Sequence, residues 1–292
     1  VTKTCDKCSA KIFKNVIKAL DSHNNFVEYL CDTCGHKVVK LEAIDENFQN
    51  GNEKIVIENV FLEFNNQIKN ENFVIDKTGV KTVEILGLRL ELNPLQPMLN
   101  FYNIRKSPEK YIQKEIEWYD SQDLCVKDIG QHAKLWLDVC TKDDKQTVNS
   151  NYGYLIYSKE NFNQYENTLK ELIKNSFSRR AIMIYNRPSM HYEYNENGRS
   201  DFICTLAQQF FIRDNKLVSI VEMRSTDMMY GFFSDFPWFS TVQSRLLKDL
   251  QNTYTDLKMG KLIWISNSGH LYEKHFSLIT KIVETAKKNG DL

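Results

Sequence analysis

The sequence predicts an α+β domain preceded by a small cysteine-rich module, and three observations carry this expectation. Four of the seven cysteines fall in two Cys-x-x-Cys pairs, Cys5/Cys8 and Cys31/Cys34, close to the start of the chain. Beyond them, segments with apolar residues at helical spacing are mixed with short β-branched and aromatic runs. The strand-like runs gather late in the chain instead of alternating one for one with helices, which favours α+β over a parallel βαβ array.

Composition excludes several classes of function. With 292 residues, 42% of them hydrophobic and 12% aromatic, the chain can bury a large core and carry one small appendage. Lys+Arg and Asp+Glu balance at 38 each, so no global charge draws it to nucleic acid or an anionic membrane. Any anion must be held by a local cluster. No apolar run has the length of a membrane span, and Val1 to Cys5 do not read as a signal peptide, so a soluble, cytoplasmic protein is expected. An odd cysteine count with paired spacing fits a reducing compartment and a metal site better than a disulfide framework.

Residues 1–45 read as a zinc-ribbon-like module. Asn15 to Leu20, the polar turn Ser22 to Asn25, and Phe26 to Leu30 form a hairpin pattern between the two cysteine pairs. Ile12, Phe13, Val16, Ile17 and Leu20 also suit a helix. Cys5, Cys8, Cys31 and Cys34 can place four thiolates tetrahedrally around structural Zn²⁺, and Gly35 suits the turn of a knuckle. The other reading is four free thiols, but a module this small lacks the core to fold without a staple. His23 and His36 are substitute ligands that fit a solvent-facing role better. Such a module binds protein or nucleic acid, or simply stabilises its neighbour.

Residues 53–292 form the main domain, after a polar linker from Ile44 to Glu53. Ile55 to Ile68 reads as a helix, and Phe73 to Ile85 as strand, turn and strand. Tyr111 to Tyr119, Phe162 to Ile173 and Phe239 to Leu250 have helical periodicity. Ala181 to Tyr185, Cys204 to Ile212, Leu217 to Met223 and Leu262 to Ile265 read as strands.

A cysteine in an apolar strand is usually inert core, but Cys204 has informative company. Ser178-Arg179-Arg180 precedes it, and Gln209, then Arg224-Ser225-Thr226-Asp227, Gly231, Asp235 and His270-Leu271-Tyr272 follow. Arginines beside a thiol lower its pKa and hold a phosphate dianion with forked donors.

In order and spacing these residues resemble the thymidylate synthases: a double arginine, a nucleophile followed by Gln-Phe, an Arg-Ser-x-Asp-x-x-x-Gly block and a His-x-Tyr. The resemblance runs from about residue 55 to the last strands and helix. It is strongest to the hydroxymethyltransferase branch that acts on deoxycytidylate in T-even bacteriophages. Asp76 to Thr82, Tyr111-Ile112-Gln113, Glu115, Glu117-Trp118-Tyr119, Val126 to Ile129, Asn149 to Gly153, Ile182 to Tyr185 and Arg187 to Met190 carry it. The N-terminal module is outside it.

The resemblance implies a thymidylate synthase-like fold, a mixed sheet packed with helices that dimerises through the sheet face. It implies a homodimer acting on dCMP with 5,10-methylenetetrahydrofolate, in a host cell's cytoplasm if the chain is phage-encoded. Cys204 would add to pyrimidine C6, and Glu115 would organise water and proton transfer. Lys77, Arg179, Arg180, Arg224 and Ser225 would hold phosphate, the arginine pair from across the dimer. Lys77 stands where synthases carry arginine. Gln209 would also lie on the substrate side. His270 and Tyr272 would bind the sugar 3′-hydroxyl, and Trp136, Asp227 and Gly231 would face the folate. The tail Lys287 to Leu292 shows no match to the synthases' closing lid.

Asp235 stands where synthases have asparagine. Cytosine accepts at N3 and donates from its 4-amino group, an edge that a carboxyl sharing one proton with N3 complements. A carboxylate facing uracil O4 is a mismatch, which argues against a uracil-directed hydroxymethyltransferase or a true thymidylate synthase. A zinc-ribbon protein that only binds nucleotide is a further alternative, disfavoured by the complete set Cys204, Arg224, Asp235, His270 and Tyr272.

Overall fold

The computed structural model describes residues 52–292 apart from Thr78, and the backbone of six strands within the preceding segment. The chain divides into two compact units, Val1–Gly51 and Asn52–Leu292. In the first, β1 (Lys3–Thr4) pairs with β2 (Lys11–Ile12). The longer β5 (Asn24–Leu30) pairs antiparallel with β3 (Asn15–Val16), β4 (Leu20–Asp21) and β6 (Lys37–Leu41). Asn15 opposite Tyr29 is the pairing the predicted hairpin requires. Cys5, Cys8, Cys31, Cys34, His23 and His36 lie outside the described residues.

The second unit opens with α1 (Asn52–Lys69), which buries Ile57, Phe61 and Phe64 and packs on a helix and a strand of the main sheet. β7 (Val74–Ile75) and β8 (Lys81–Leu92) form the expected strand, turn and strand. The Asp76 carboxylate accepts from Val80 N at 2.9 Å, and Gly79 takes φ +83°, a conformation glycine adopts without strain. Then come a small hairpin of β9 (Asn100–Phe101) and β10 (Arg105–Lys106), α2 (Glu109–Ser121), α3 (Lys134–Val139), α4 (Tyr152–Tyr157) and α5 (Gln164–Lys174). The expected helix from Phe162 begins at Gln164 because Asn163 caps it, accepting from Glu166 N at 3.3 Å.

The late strands are β11 (Ile182–Ile184), β12 (Thr205–Arg213), β13 (Lys216–Met223), β14 (Thr226–Asp227) and β15 (Lys258–Tyr272). Between β11 and β12 lies the short α6 (Met190–Glu193). The sheet runs β11-β12-β13-β15-β8-β7, with β14 beside β15. It is mixed: β13 and β14 lie parallel to β15, and the other neighbours are antiparallel. One face is covered by helices, α7 (Gly231–Leu250) against β13 and β15 and α1 against β8, with α8 (Phe276–Asn289) packed on α1, and Trp264, Phe210 and Val221 are sealed from solvent. Burying a large apolar side chain contributes about 1.5–3 kcal/mol, so this layer is the main source of cohesion. β13 alternates strictly, with Leu217, Ser219, Val221 and Met223 buried and Val218, Ile220 and Glu222 on the other face.

Two elements differ from the sequence expectation. β15 extends from Lys258 to Tyr272 because β8 pairs with it over most of its length. Helix α7 starts at Gly231, not Phe239, so Gly231 to Asp235 is helix and not loop. Gly231 and Pro237 disguise it in the sequence, whereas Phe232, Phe233 and Phe236 form one buried helical face. Its start is supported by the Asp227 carboxylate, which accepts from Met229 N at 2.8 Å and Tyr230 N at 3.1 Å.

Candidate active site

Cys204 immediately precedes β12, and Arg224 immediately follows β13. Thr205 pairs with Met223 where those strands meet, so the two side chains emerge together at one end of the sheet. Arg224 N donates to Cys204 O at 2.8 Å. Its guanidinium donates to Ile203 O at 3.0 Å and Phe202 O at 2.8 Å, and Nη2 lies 3.5 Å from Cys204 Sγ. A planar fork with several donors is needed to brace the backbone while facing the sulfur.

The same sheet end gathers the next residues. Asp227 pairs with His270 across β14 and β15, and Ser225 Oγ lies 3.5 Å from His270 Nδ1. His270 and Tyr272 meet edge to face, with ring centroids 5.2 Å apart. Tyr272 pairs with Thr82 of β8 and lies in the field of Asp76, Asp227 and Cys204. This brings the exposed Lys77, at the β7–β8 turn, to the same rim.

Glu115 projects from α2 and Asp235 from the start of α7. Glu115 is 4% exposed, and Tyr111 donates a short hydrogen bond to it. Trp136 on α3 donates from Nε1 to the Tyr111 hydroxyl at 3.0 Å. Burial pushes the Glu115 carboxyl up to about 7, and hydrogen bonds from Tyr111 and Tyr119 oppose it. Burial raises Asp235 well above the usual carboxylate range, and the charges of Glu115 and Asp227 raise it further. Burial also takes the Cys204 thiol to about 11; Arg224 lowers it, and Asp235 and Asp201 raise it. Asp235 and Cys204 keep some accessible surface, yet protein surrounds their polar atoms closely enough for burial to dominate. A protonated Asp235 withdraws its own charge from the thiol, so the two ionisations are coupled.

Of the three residues expected to face the folate, Asp227 lies just before α7, Gly231 opens it and Trp136 lies on α3. A side chain at Gly231 would meet Asp235 Oδ2 at 3.4 Å, and Trp136 is only partly buried. Arg179 and Arg180, by contrast, are exposed and join none of the hydrogen bonds around Cys204. Arg180 pairs with Glu171 at 3.1 Å, and Gln209 Nε2 donates to Arg179 O at 2.7 Å. Within one chain, Gln209 therefore steadies the arginine pair.

Three supports were missed from sequence. Asp201 accepts from Asn149 N at 2.6 Å, Ser150 N at 2.8 Å and Ser150 Oγ at 2.6 Å, tying the start of α4 to the segment that carries Cys204. Tyr111 and Tyr119 flank Glu115 at the i−4 and i+4 positions, a helical spacing that was available in the sequence. Among the described residues, no group of three or more His, Cys, Asp or Glu is placed to hold a metal ion.

A thiol, a forked arginine and two carboxyls carried on helices thus lie within one another's fields at one end of a mixed sheet, and comparison with known proteins gives this site its class. Residues 59–290 match the family described as thymidylate synthase, and the chain belongs to it. It is an enzyme of that family, whose members use methylenetetrahydrofolate. Over 230 residues it is 41% identical to the deoxycytidylate 5-hydroxymethyltransferases of Enterobacteria phages T4 and T2, covering 78% of this chain and 90% of each relative. It is 26% identical over 215 residues to the thymidylate synthase of Francisella philomiragia, covering 70% of this chain and 76% of that one. Among the described residues, no helix is long and apolar enough to cross a membrane.

Proposed function

We propose that this chain transfers a one-carbon unit from 5,10-methylenetetrahydrofolate to C5 of dCMP and hydrates it, giving 5-hydroxymethyl-dCMP and tetrahydrofolate. The observation that carries this reading is Asp235, a carboxyl whose surroundings favour its protonated form, beside Glu115 and in the field of Cys204. The phage relatives named for the same reaction support it.

Cys204 adds as thiolate to C6, and the displaced electron pair moves through C4 toward N3, where the Asp235 proton meets it. The other Asp235 oxygen accepts from the 4-amino group. C5 would bond to the one-carbon unit that the folate supplies; loss of the C5 proton to solvent, with tetrahydrofolate departing as its bond to that carbon breaks, would leave an exocyclic methylene on the ring. Water bonds to that methylene as Glu115 takes its proton. The ring regains its C5–C6 double bond by expelling Cys204 as thiolate, and N3 returns its proton to Asp235. Arg224, Ser225 and Lys77 hold the phosphate, and His270 with Tyr272 hold the sugar hydroxyl. Trp136, Asp227 and Gly231 line the folate side.

The active unit is a homodimer. The uncovered sheet face presents Val218 and Ile220 with Ile182, Ile184 and Leu86, the last three 36%, 53% and 75% exposed, an apolar surface suited to a second copy. Arg179, Arg180 and Gln209 lie toward the β11–β12 edge, from which the arginines would complete the partner's phosphate site. Cys5, Cys8, Cys31 and Cys34 hold a structural zinc.

The test is competition between equal dCMP and dUMP with methylenetetrahydrofolate, read by mass spectrometry. A CH₂O adduct on dCMP, absent in Cys204→Ala, is expected. A CH₂O adduct on dUMP would overturn the base assignment, methylated dUMP would make the chain a synthase, and no product would leave a nucleotide-binding protein.

A further inference from the structure

We propose that Tyr111, its hydroxyl turned by Trp136, is a positioning residue that keeps Glu115 in its base form and aimed at the water that adds to the methylene. The inference rests on the hydroxymethyl transfer proposed above for the water, but the hydrogen-bond chain itself is independent of the reaction.

A tyrosine hydroxyl has one proton to give and lone pairs to receive. The Trp136 indole N–H occupies the receiving side at 3.0 Å, and the hydroxyl donates to Glu115 Oε1. With the indole donor fixed there, the phenol proton is committed to the carboxylate. The indole is itself fixed, since Trp118 packs against it with ring centroids 4.9 Å apart. The chain therefore runs from α3 through Tyr111 to a buried carboxylate on α2.

The surroundings of Glu115 give the chain its purpose. On α2, Tyr119 also hydrogen-bonds it, and these two phenols are what favours its charged form. From α4, Tyr152 stacks on Tyr119, with centroids 5.2 Å apart. From α7, Asp235 faces it and gains nothing from its charge. Arg224, the cation beside Cys204, is spent on the Cys204 segment. A buried carboxylate without a cation must draw its stabilisation from neutral donors, and hydrogen bonds to a charged group are stronger than those between neutral ones. Tyr111 thus does for Glu115 what a cation does elsewhere, without lowering its basicity so far that it cannot take a proton from water. Glu117, two residues on, is in the opposite situation: it is exposed, accepts from Gln113 at 3.1 Å and pairs with the cation Lys114.

The experiment uses the full chain carrying ¹³C-labelled glutamate carboxyls, with Glu115→Gln identifying the signal of Glu115. Its titration is followed by NMR in wild type, Tyr111→Phe and Trp136→Phe, alongside pH profiles of kcat/KM for dCMP. Removing a donor to the charged form raises the pH at which Glu115 ionises. Tyr111→Phe is expected to move both the titration and the acidic limb upward by about one pH unit, activity recovering at high pH. Trp136→Phe, which leaves Tyr111 in place, should move both the same way by less. An unchanged Glu115 midpoint with activity lost equally at every pH would reduce Tyr111 to packing and overturn the proposal. If the midpoint shifts but wild type makes no hydroxymethyl-dCMP, the coupling stands and the reaction assignment falls.

Discussion

Arg224 braces the backbone on the approach to the sulfur it faces: it donates to the carbonyls of Phe202 and Ile203 while Nη2 lies 3.5 Å from Cys204 Sγ. The thiol is nonetheless held at about 11 by burial, so Cys204 stays protonated at neutral pH.

Alkylation by iodoacetamide should therefore be slow at Cys204 near pH 7 and accelerate steadily toward pH 11. Arg224→Lys keeps a charge but loses the fork, and should slow Cys204 alkylation by roughly tenfold at a given pH. Peptide mapping separates Cys204 from Cys125 and Cys140. Equal rates in the two proteins would remove Arg224 from the activation of the thiol.

Asp235→Asn should exchange the base. Each buried hydrogen bond left unmade costs about 1–3 kcal/mol, so kcat/KM for dCMP should fall by about ten- to a hundredfold while turnover of dUMP appears. Parallel assays on both nucleotides check this. Retained dCMP preference would place base recognition elsewhere.

Glu115 should make wild-type stability depend on pH. Its ionisation moves from 4.5 to about 7 on folding, so the native state binds its proton more tightly than the unfolded chain. Stability from this group is fully present below pH 4.5, is lost as pH rises to 7, and is constant beyond. Glu115→Gln escapes that loss and should exceed wild type by up to roughly 3 kcal/mol at pH 8, with little difference at pH 4. Urea unfolding at both pH values measures it; a gap that does not widen with pH would contradict the burial argument.

Gly153 should tolerate no side chain. An added Cβ would stand 1.8 Å from Tyr119 O, forcing α4 away from α2. Gly153→Ala should lose about 1–3 kcal/mol of stability and reduce activity through displacement of Glu115. Calorimetry with a turnover assay tests both, and an unperturbed variant would show that the helices separate freely.

The purified full chain should contain zinc, one ion per chain by elemental analysis, bound by Cys5, Cys8, Cys31 and Cys34. A thiol-blocking mercurial should release it. A chain reduced to residues 52–292 should keep turnover, and loss of activity from a folded dimer would bring the first unit into the active assembly.

Much of this architecture was legible because short-range pattern and tertiary structure agree. The alternation of Lys216 to Met223 and the turn chemistry of Asp76 to Gly79 each dictate one local answer, and the structure adopts both. Helix α7 was legible only from Phe239 onward, since Gly231 and Pro237 signal a break that the buried face of Phe232, Phe233 and Phe236 overrides. The candidate site residues stood out by type and order, but their supports did not. Asp201 and Tyr111 look like any surface acid or helix tyrosine until the fold brings Ser150 and Trp136 to them.

Arg245, on the same helix as Asp235, grips both oxygens of Asp120 at 2.6 and 2.7 Å, and Asp120 shares its helix with Glu115. Glu115 and Asp235 are thus carried on two helices clasped about 15 Å along α7 from Asp235. The separation of Asp235 from Glu115 behaves like the setting of a calliper, fixed by helices and not by loops. On the reaction proposed above, exchanging the tip of one jaw, aspartate for asparagine, would change the nucleotide without resetting the gap.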